Sequence, residues 1–182
     1  MIILGIDPGI AIVGYGVIEK IGNTTKILDY GVITTTKDQT LPQRLEIVYN
    51  GIISLIQKFK PDAVSIEELF FQNNQKTAII VAEARGVILL ACKQSVKNLY
   101  EYTPLQIKQA LTGNGRAEKQ QVQYMVKAIL NLKNIPKPDD AADAIAVALC
   151  HSETNVILSG TDIKWGKLYV CFYLWKNRRK NW

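Results

Sequence analysis

The run Ile2-Ile-Leu-Gly-Ile6 is nearly continuous in apolar residues and stops at Asp7-Pro8-Gly9, a turn signal. A strand that is apolar on both sides belongs inside a sheet covered on both faces, which restricts the chain to an α/β layering. Two β-rich segments follow, Ile12 to Glu19 and Lys26 to Thr36, separated by Gly22-Asn23, a hairpin turn by composition. From Leu41 the period changes. Leu41, Leu45, Val48, Ile52 and Leu55 (or Ile56) recur at helical spacing up to Phe59, and Pro61 ends that helix.

Beyond Pro61, helices and strands alternate. Ala63 to Ile66 reads as a short buried strand ending at Glu67, and Thr77 to Gln94 as a largely apolar helix. In that helix Ala82, Ala84 and Gly86 would allow close approach of a neighbour. Asn98 to Tyr102 is a fifth strand, and Thr103 is placed to cap a helix that starts at Pro104. After Gly113-Asn114-Gly115, Val122, Met125, Val126, Ile129 and Leu130 form the apolar stripe of an amphipathic helix. An alanine-rich helix runs from Asp139 to about His151. The fold class is a mixed α/β sheet flanked by helices.

With 182 residues, 48% hydrophobic and 21% charged, the chain has the balance of one compact domain rather than a disordered segment. The net charge of +6 favours an anionic partner such as nucleic acid. Cys92, Cys150 and Cys171 have no CxxC spacing and read as small hydrophobes in a reducing compartment. No stretch approaches the ~20 apolar residues of a membrane helix, and no signal peptide is recognisable, so a cytoplasmic location is expected.

Four acids carry the chemical expectation. Asp7 and Glu67 each end a buried strand, and in open α/β sheets functional groups gather beyond the carboxyl ends of strands. Asp140 and Asp143, three apart at the start of the last helix, share one face. Converging carboxylates repel one another unless a cation compensates, and an all-oxygen donor set suits Mg²⁺ or Mn²⁺. Two such ions about 4 Å apart clamp the attacking and leaving oxygens of a phosphodiester, with a metal-activated water as nucleophile. Each acid also has a plain reading. Asp7 would start a turn, Glu67 and its neighbour Glu68 would be a solvated strand end, and Asp139 and Asp140 would favour a helix N-terminus. Asp143, between Ala142 and Ala144, is the hardest to explain that way.

These segments resemble a known family. Ile3-Leu-Gly-Ile-Asp-Pro-Gly9 with Gly14-Tyr-Gly16, Ile66-Glu-Glu-Leu-Phe70, Ala84-Arg-Gly-Val87, Ala117-Glu-Lys-Gln120 and Asp140-Ala-Ala-Asp-Ala144 resemble, in order and spacing, the bacterial RuvC Holliday junction resolvases. The resemblance covers Met1 to about His151. It implies a ribonuclease H-like fold with a five-stranded mixed sheet, and a homodimer. It implies Mg²⁺-dependent paired, symmetric nicking at a four-way DNA junction during recombination and repair, leaving 5′-phosphate and 3′-OH ends. It assigns catalysis and metal binding to Asp7, Glu67, Asp140 and Asp143, with two Mg²⁺ ions per site that Mn²⁺ can replace. It also implies work beside the RuvA–RuvB branch-migration complex and no membrane partner.

The same resemblance assigns DNA contacts to Phe70, a ring that stacks on junction bases, and to Lys108 and Lys119 near the scissile region. Arg116 joins them beside the Gly113-Asn114-Gly115 break. From Pro104 to Pro138 the bases Lys108, Arg116, Lys119, Lys127, Lys133 and Lys137 face the single acid Glu118, as a phosphate-facing surface would. Lys127 and Lys133 are expected on a solvated face, and Arg85, Tyr124 and His151 in structural positions. The helix Thr77 to Gln94 is either the dimer interface or a fully buried core helix.

The expected organisation is a nuclease domain over residues 1–152 and an extension over 153–182, aromatic and then basic, that matches nothing recognised. Three other functions are weaker. An ATP-binding domain of the actin and sugar-kinase type needs a second phosphate loop and a longer chain. A related nuclease acting on RNA shares the opening but not Asp-Ala-Ala-Asp. A DNA-binding module without catalysis conflicts with the presence of all four acids.

Overall fold

The structure, a computed structural model, describes residues 1–69 and 75–155. Phe70, Cys171 and the expected extension from residue 156 onward lie outside the described residues. Strands β1 (Ile2–Asp7), β2 (Ile12–Ile21) and β3 (Thr24–Thr34) come first, then helix α1 (Leu41–Phe59) and strand β4 (Ala63–Glu67). Helix α2 (Gln75–Ser95), strand β5 (Leu99–Tyr102) and helices α3 (Pro104–Thr112), α4 (Lys119–Ile129) and α5 (Asp139–Asn155) follow. The sheet order is β3-β2-β1-β4-β5, with β1, β4 and β5 parallel and the β1-β2-β3 meander antiparallel.

Local signals in the chain set the element ends. Thr40 and Gln43 bond reciprocally at the start of α1, and Lys60 closes it in the left-handed conformation directly before Pro61. Thr103 accepts from the Gln106 amide at the start of α3, and Gly113 closes that helix with φ +74°. The φ at Gly113 is one that a side chain would resist.

Alternation along β1 and β4 divides the core in two. Leu4, Ile6, Val64 and Ile66 pack against α1 and α2, and Ile3 packs on the opposite face with α5, α3 and α4. By the same period of two, Gly5 and Asp7, and Ala63, Ser65 and Glu67, turn toward α5. Backbone contact brings α5 close to that face. A Cβ on Gly5 would stand 2.2 Å from the Ala144 carbonyl oxygen, and one on Gly14 would stand 2.0 Å from that of Asp140. At Gly16 it would meet Ile145 at 2.6 Å. Three side-chain-free positions therefore make a floor on which the alanine-rich helix rests.

Four expectations are corrected. α2 is not fully buried, because Ile79 and Leu90 are 62% and 53% exposed while Ala84, Ile88, Ala91 and Cys92 face the core. A Cβ on Gly86 would meet nothing within 4 Å, so that residue permits no close approach among the described residues. Tyr124 is not packed as a structural residue: it is 64% exposed. The polar residue α4 buries is instead Gln123, and Ile129 lies at the surface. Cys92 and Cys150 are buried, as expected. Among the described residues, no helix is long and apolar enough to cross a membrane.

Candidate active site

The parallel register Ile6↔Ile66 makes Asp7 and Glu67 the next neighbours on adjacent strands, both on the α5 face. Asp7 also pairs with Gly14, the glycine under the Asp140 carbonyl, so the first turn of α5 lands beside the Asp7 strand end. Asp143 follows one turn later. Glu68 points away and is exposed, its backbone amide bonded to Tyr102.

Electrostatics separates the acids that converge from the one that does not. Burial pushes the Asp7 carboxyl up to about 8, and the charges of Glu67, Asp143 and Asp140 add to the rise. Burial, with Asp143 behind it, pushes Glu67 up to about 7, while a hydrogen bond from Asp7 and the charges of Lys108 and Lys119 partly offset this. Asp139 contributes nothing comparable at Asp7. It bonds Lys137 at 2.7 Å on the surface, which holds its carboxyl below the usual range.

Lys119 connects the two groups. Its ammonium lies 2.7 Å from Asp143 and 3.8 Å from Asp139. Partial burial works against its charge, but the bond to Asp143 and the charges of Asp139 and Asp140 outweigh that and raise its pKa. Asp143 is nonetheless raised as well, because its own burial exceeds what the ion pair returns. The ammonium is half exposed and leaves the deeper acids under-compensated. A cleft of about 210 Å³ opens here, lined by Glu67, Lys108, Lys119 and Asp143 with the apolar Ile107 and Val122. It has room for a phosphodiester and several waters at about 30 Å³ each.

Among the described residues no three acids, cysteines or histidines stand close enough to form a ready-made metal cage. The arrangement is a close carboxylate pair, Asp7 and Glu67, facing an acid bonded to lysine. Its donor chemistry fits a hard divalent cation, since the candidate ligating atoms are all oxygens and burial with neighbouring carboxylates makes the charged form of two of the carboxyls costly, a cost that a cation would offset.

Of the sequence-derived DNA contacts, Lys108 and Lys119 line this cleft and Arg116 lies exposed on the loop before α4. Lys133 is exposed as expected, and Lys127 is half-buried. Arg85 is structural, forming an ion pair with Glu101 of β5. His151 is buried, 2.7 Å from the Tyr102 hydroxyl and against the Tyr100 ring. Sequence reasoning missed the positioning role of Gly5, Gly14 and Gly16. Their signal was the two-residue spacing of Gly14 and Gly16 on β2, with Gly5 of β1 paired to Gly16, together with the i, i+4 pair Ala144 and Ala148 in the last helix.

Comparison with known proteins bears on this geometry. The family model described as crossover junction endodeoxyribonuclease RuvC matches residues 3–151. A crossover junction endodeoxyribonuclease RuvC of Clostridioides difficile is 57% identical over 155 residues, covering 85% of this chain and 92% of its own. That of Caldicellulosiruptor saccharolyticus is 57% identical over 166 residues, covering 90% and 100%. The solved structure of Thermus thermophilus RuvC superposes with a TM-score of 0.79 at 37% identity, over 86% of this chain and 96% of that one. The same protein in complex with Holliday junction substrate gives 0.80 at 33% identity, over 90% and 100%.

Fold and site together define a nuclease of the ribonuclease H-like class. Within that class, the chain belongs to the RuvC family of crossover junction endodeoxyribonucleases.

Proposed function

We propose that this chain resolves four-way DNA junctions by metal-dependent, paired symmetric nicking, with Asp7, Glu67, Asp140 and Asp143 as its catalytic carboxylates. The observation that carries this reading is the convergence of Asp7 and Glu67 on the face covered by the first turns of α5, where burial and neighbouring carboxylates raise the pKa of both above the ordinary range. The Thermus thermophilus relative is described in complex with a Holliday junction.

Asp7 and Glu67 would hold the cation from the strand ends, and Asp140 and Asp143 from the helix. Two Mg²⁺ ions, replaceable by Mn²⁺, would supply an activated water and neutralise charge building on the leaving oxygen. The protein's own groups do the rest. Lys119 keeps Asp143 oriented and offers its ammonium to a phosphate, and Lys108 adds positive charge beside Glu67. The apolar wall of Ile107 and Val122 excludes water and lowers the local dielectric, which strengthens every charge interaction in the cleft. Attack by water at phosphorus, with the P–O3′ bond breaking and O3′ leaving as the hydroxyl, would give 5′-phosphate and 3′-OH ends.

Cutting two opposed strands requires two sites, so the functional unit is a homodimer. The exposed Ile79 and Leu90 on α2 make that helix the candidate contact. A cytoplasmic setting beside the RuvA–RuvB machinery completes the reading. In the direct test, the protein meets a synthetic four-way junction and a linear duplex, each with Mg²⁺ and with chelator. Paired nicks in the junction alone, and only with metal, are expected. Equal cutting of the linear duplex, or cutting in chelator, would overturn the reading.

Arg116 gives a milder prediction. As an exposed phosphate contact, Arg116→Ala should weaken binding evenly across junction sequences and reduce the slope of log K against log salt by about 1. Titrations from low to moderate salt measure this, and an unchanged slope removes Arg116 from the DNA surface.

A further inference from the structure

A larger hollow lies across α4 from the carboxylate cleft. It is an open groove of about 510 Å³ between the C-terminal end of α3, the loop that follows and α4, lined by Thr112, Asn114, Gln120, Gln121, Tyr124 and Met125. Its volume lies in the range of about 300–1,000 Å³ usual for ligand clefts. No charged side chain lines it. Its walls are three amides, a hydroxyl, a thioether and a phenol ring that is 64% exposed.

The rim is held rigidly. Gln109 bonds both the Gly113 carbonyl and the Gly115 amide, and the Asn114 side-chain oxygen accepts from the Arg116 amide. The Gln121 side-chain oxygen accepts from the Glu118 amide at the start of α4. With their oxygens engaged inside the protein, Asn114 and Gln121 keep their amide N–H groups as donors. Around the groove the charge is positive: Arg116 is exposed on the loop, Lys119 half exposed at the head of α4, and Glu118 is the single acid from Pro104 to Pro138.

An uncharged lining of amides and one open aromatic ring, inside a basic surround, is the chemistry of a nucleobase whose flanking phosphates lie outside. We propose that this groove takes one unstacked base of the DNA strand running through the carboxylate cleft, with the base stacked on Tyr124. The inference rests on the junction-nuclease reading above and adds to it a base-binding subsite. Lys119 and Val122 face the cleft while Gln121 and Tyr124 face the groove, so the two sites lie across one helix, about 10 Å apart. The base held here is therefore a few nucleotides from the cut, and the groove contributes to which sequences are cut.

The test uses the full-length protein, as wild type, Tyr124→Ala and Tyr124→Phe, and four-way junctions carrying one abasic nucleotide stepped through the positions on either side of the cut. Affinity is measured without metal and nicking with Mg²⁺. Wild type should lose about tenfold in affinity at one or two abasic positions, the effect of one lost base–aromatic stack. Tyr124→Ala should lose about tenfold on the intact junction and nothing further at those positions, and Tyr124→Phe should behave as wild type. Melting curves should coincide, because the ring lies at the surface.

If Tyr124→Ala binds the intact junction as wild type does, the groove is not a base site; a protein partner there would give this outcome. Equal abasic losses in wild type and Tyr124→Ala also overturn it. A wild type that bound the junction no better than linear duplex would instead remove the underlying reading, and this inference with it.

Discussion

An Asp7→Asn protein is expected to lose junction cleavage by on the order of 10³-fold while binding junctions as tightly as wild type or more so. The substitution keeps shape and removes one carboxylate from the end of β1 beside Glu67, so positioning of DNA survives and the chemistry does not. Single-turnover cleavage and gel-shift titration on the same junction separate the two effects. Full cleavage by this variant would end the assignment of Asp7.

The same variant should be more stable than wild type when no divalent metal is present. Asp7 has a folded pKa of about 8 against 3.8 for the ordinary group, and Glu67 about 7 against 4.5. Between those limits the folded protein binds more protons than the unfolded chain, so stability falls as pH rises from about 4 to about 8. Above that window the whole cost of the buried charges is present, and below it the cost vanishes. At pH 9 Asp7→Asn should melt above wild type by on the order of 2–4 °C, the shift that about 1 kcal/mol produces in a domain of this size. The two curves should meet near pH 4. Divalent metal should raise the wild-type melting point at pH 8 more than that of the variant.

Gly14→Ala should damage the enzyme by a different route. The added methyl would sit 2.0 Å from the Asp140 carbonyl oxygen, which is backbone and gives way only if the first turn of α5 moves. Overpacking of this kind costs about 1–3 kcal/mol. Displacing the helix-borne acids by about 1 Å lowers cleavage by a further ~10²-fold. Unlike Asp7→Asn, this protein should lose stability and activity together. Gly86→Ala is the control: it meets open space on an exposed helix and should gain up to about 1 kcal/mol from helix propensity. A Gly14→Ala protein with wild-type melting and cleavage would mean that α5 does not rest on β2 as described.

Much of this was legible in the chain because it is written locally. The run Ile2–Ile6, the bounds of α1, the Thr103 cap and the two strand-end acids follow from period, proline and capping residues close together in sequence. The choice of Glu67 over Glu68 and of Asp140 over Asp139 rests in the sequence on family resemblance; the paired register of β1 and β4 gives the first a physical reason, and the placing of Asp140 over Gly14 with Asp139 drawn to Lys137 gives the second. What was hidden depends on partners far away in sequence. Nothing near Gly14 says that Asp140 will lie on it. Nothing in the stripe of α4 says that Gln123 goes under while Ile129 stays out, because that rotation is set by α5 and by the acids Lys119 must reach. Tyr124 was misread for the same reason: an aromatic on an amphipathic helix looks like core until the neighbouring helix is placed.

The glycine floor under α5 has a kinetic meaning too. From Ala141 to Ser152 nearly every residue of α5 is buried, and at three places the helix meets the sheet backbone with no side chain between. Such a helix has no cheap local opening, so its amides should exchange with deuterium only when the whole domain unfolds. Asp143, one turn into the helix, shares that protection. The catalytic end of the helix therefore has no melting point of its own: on heating, cleavage should hold its geometry up to the global transition and be lost there in a single step.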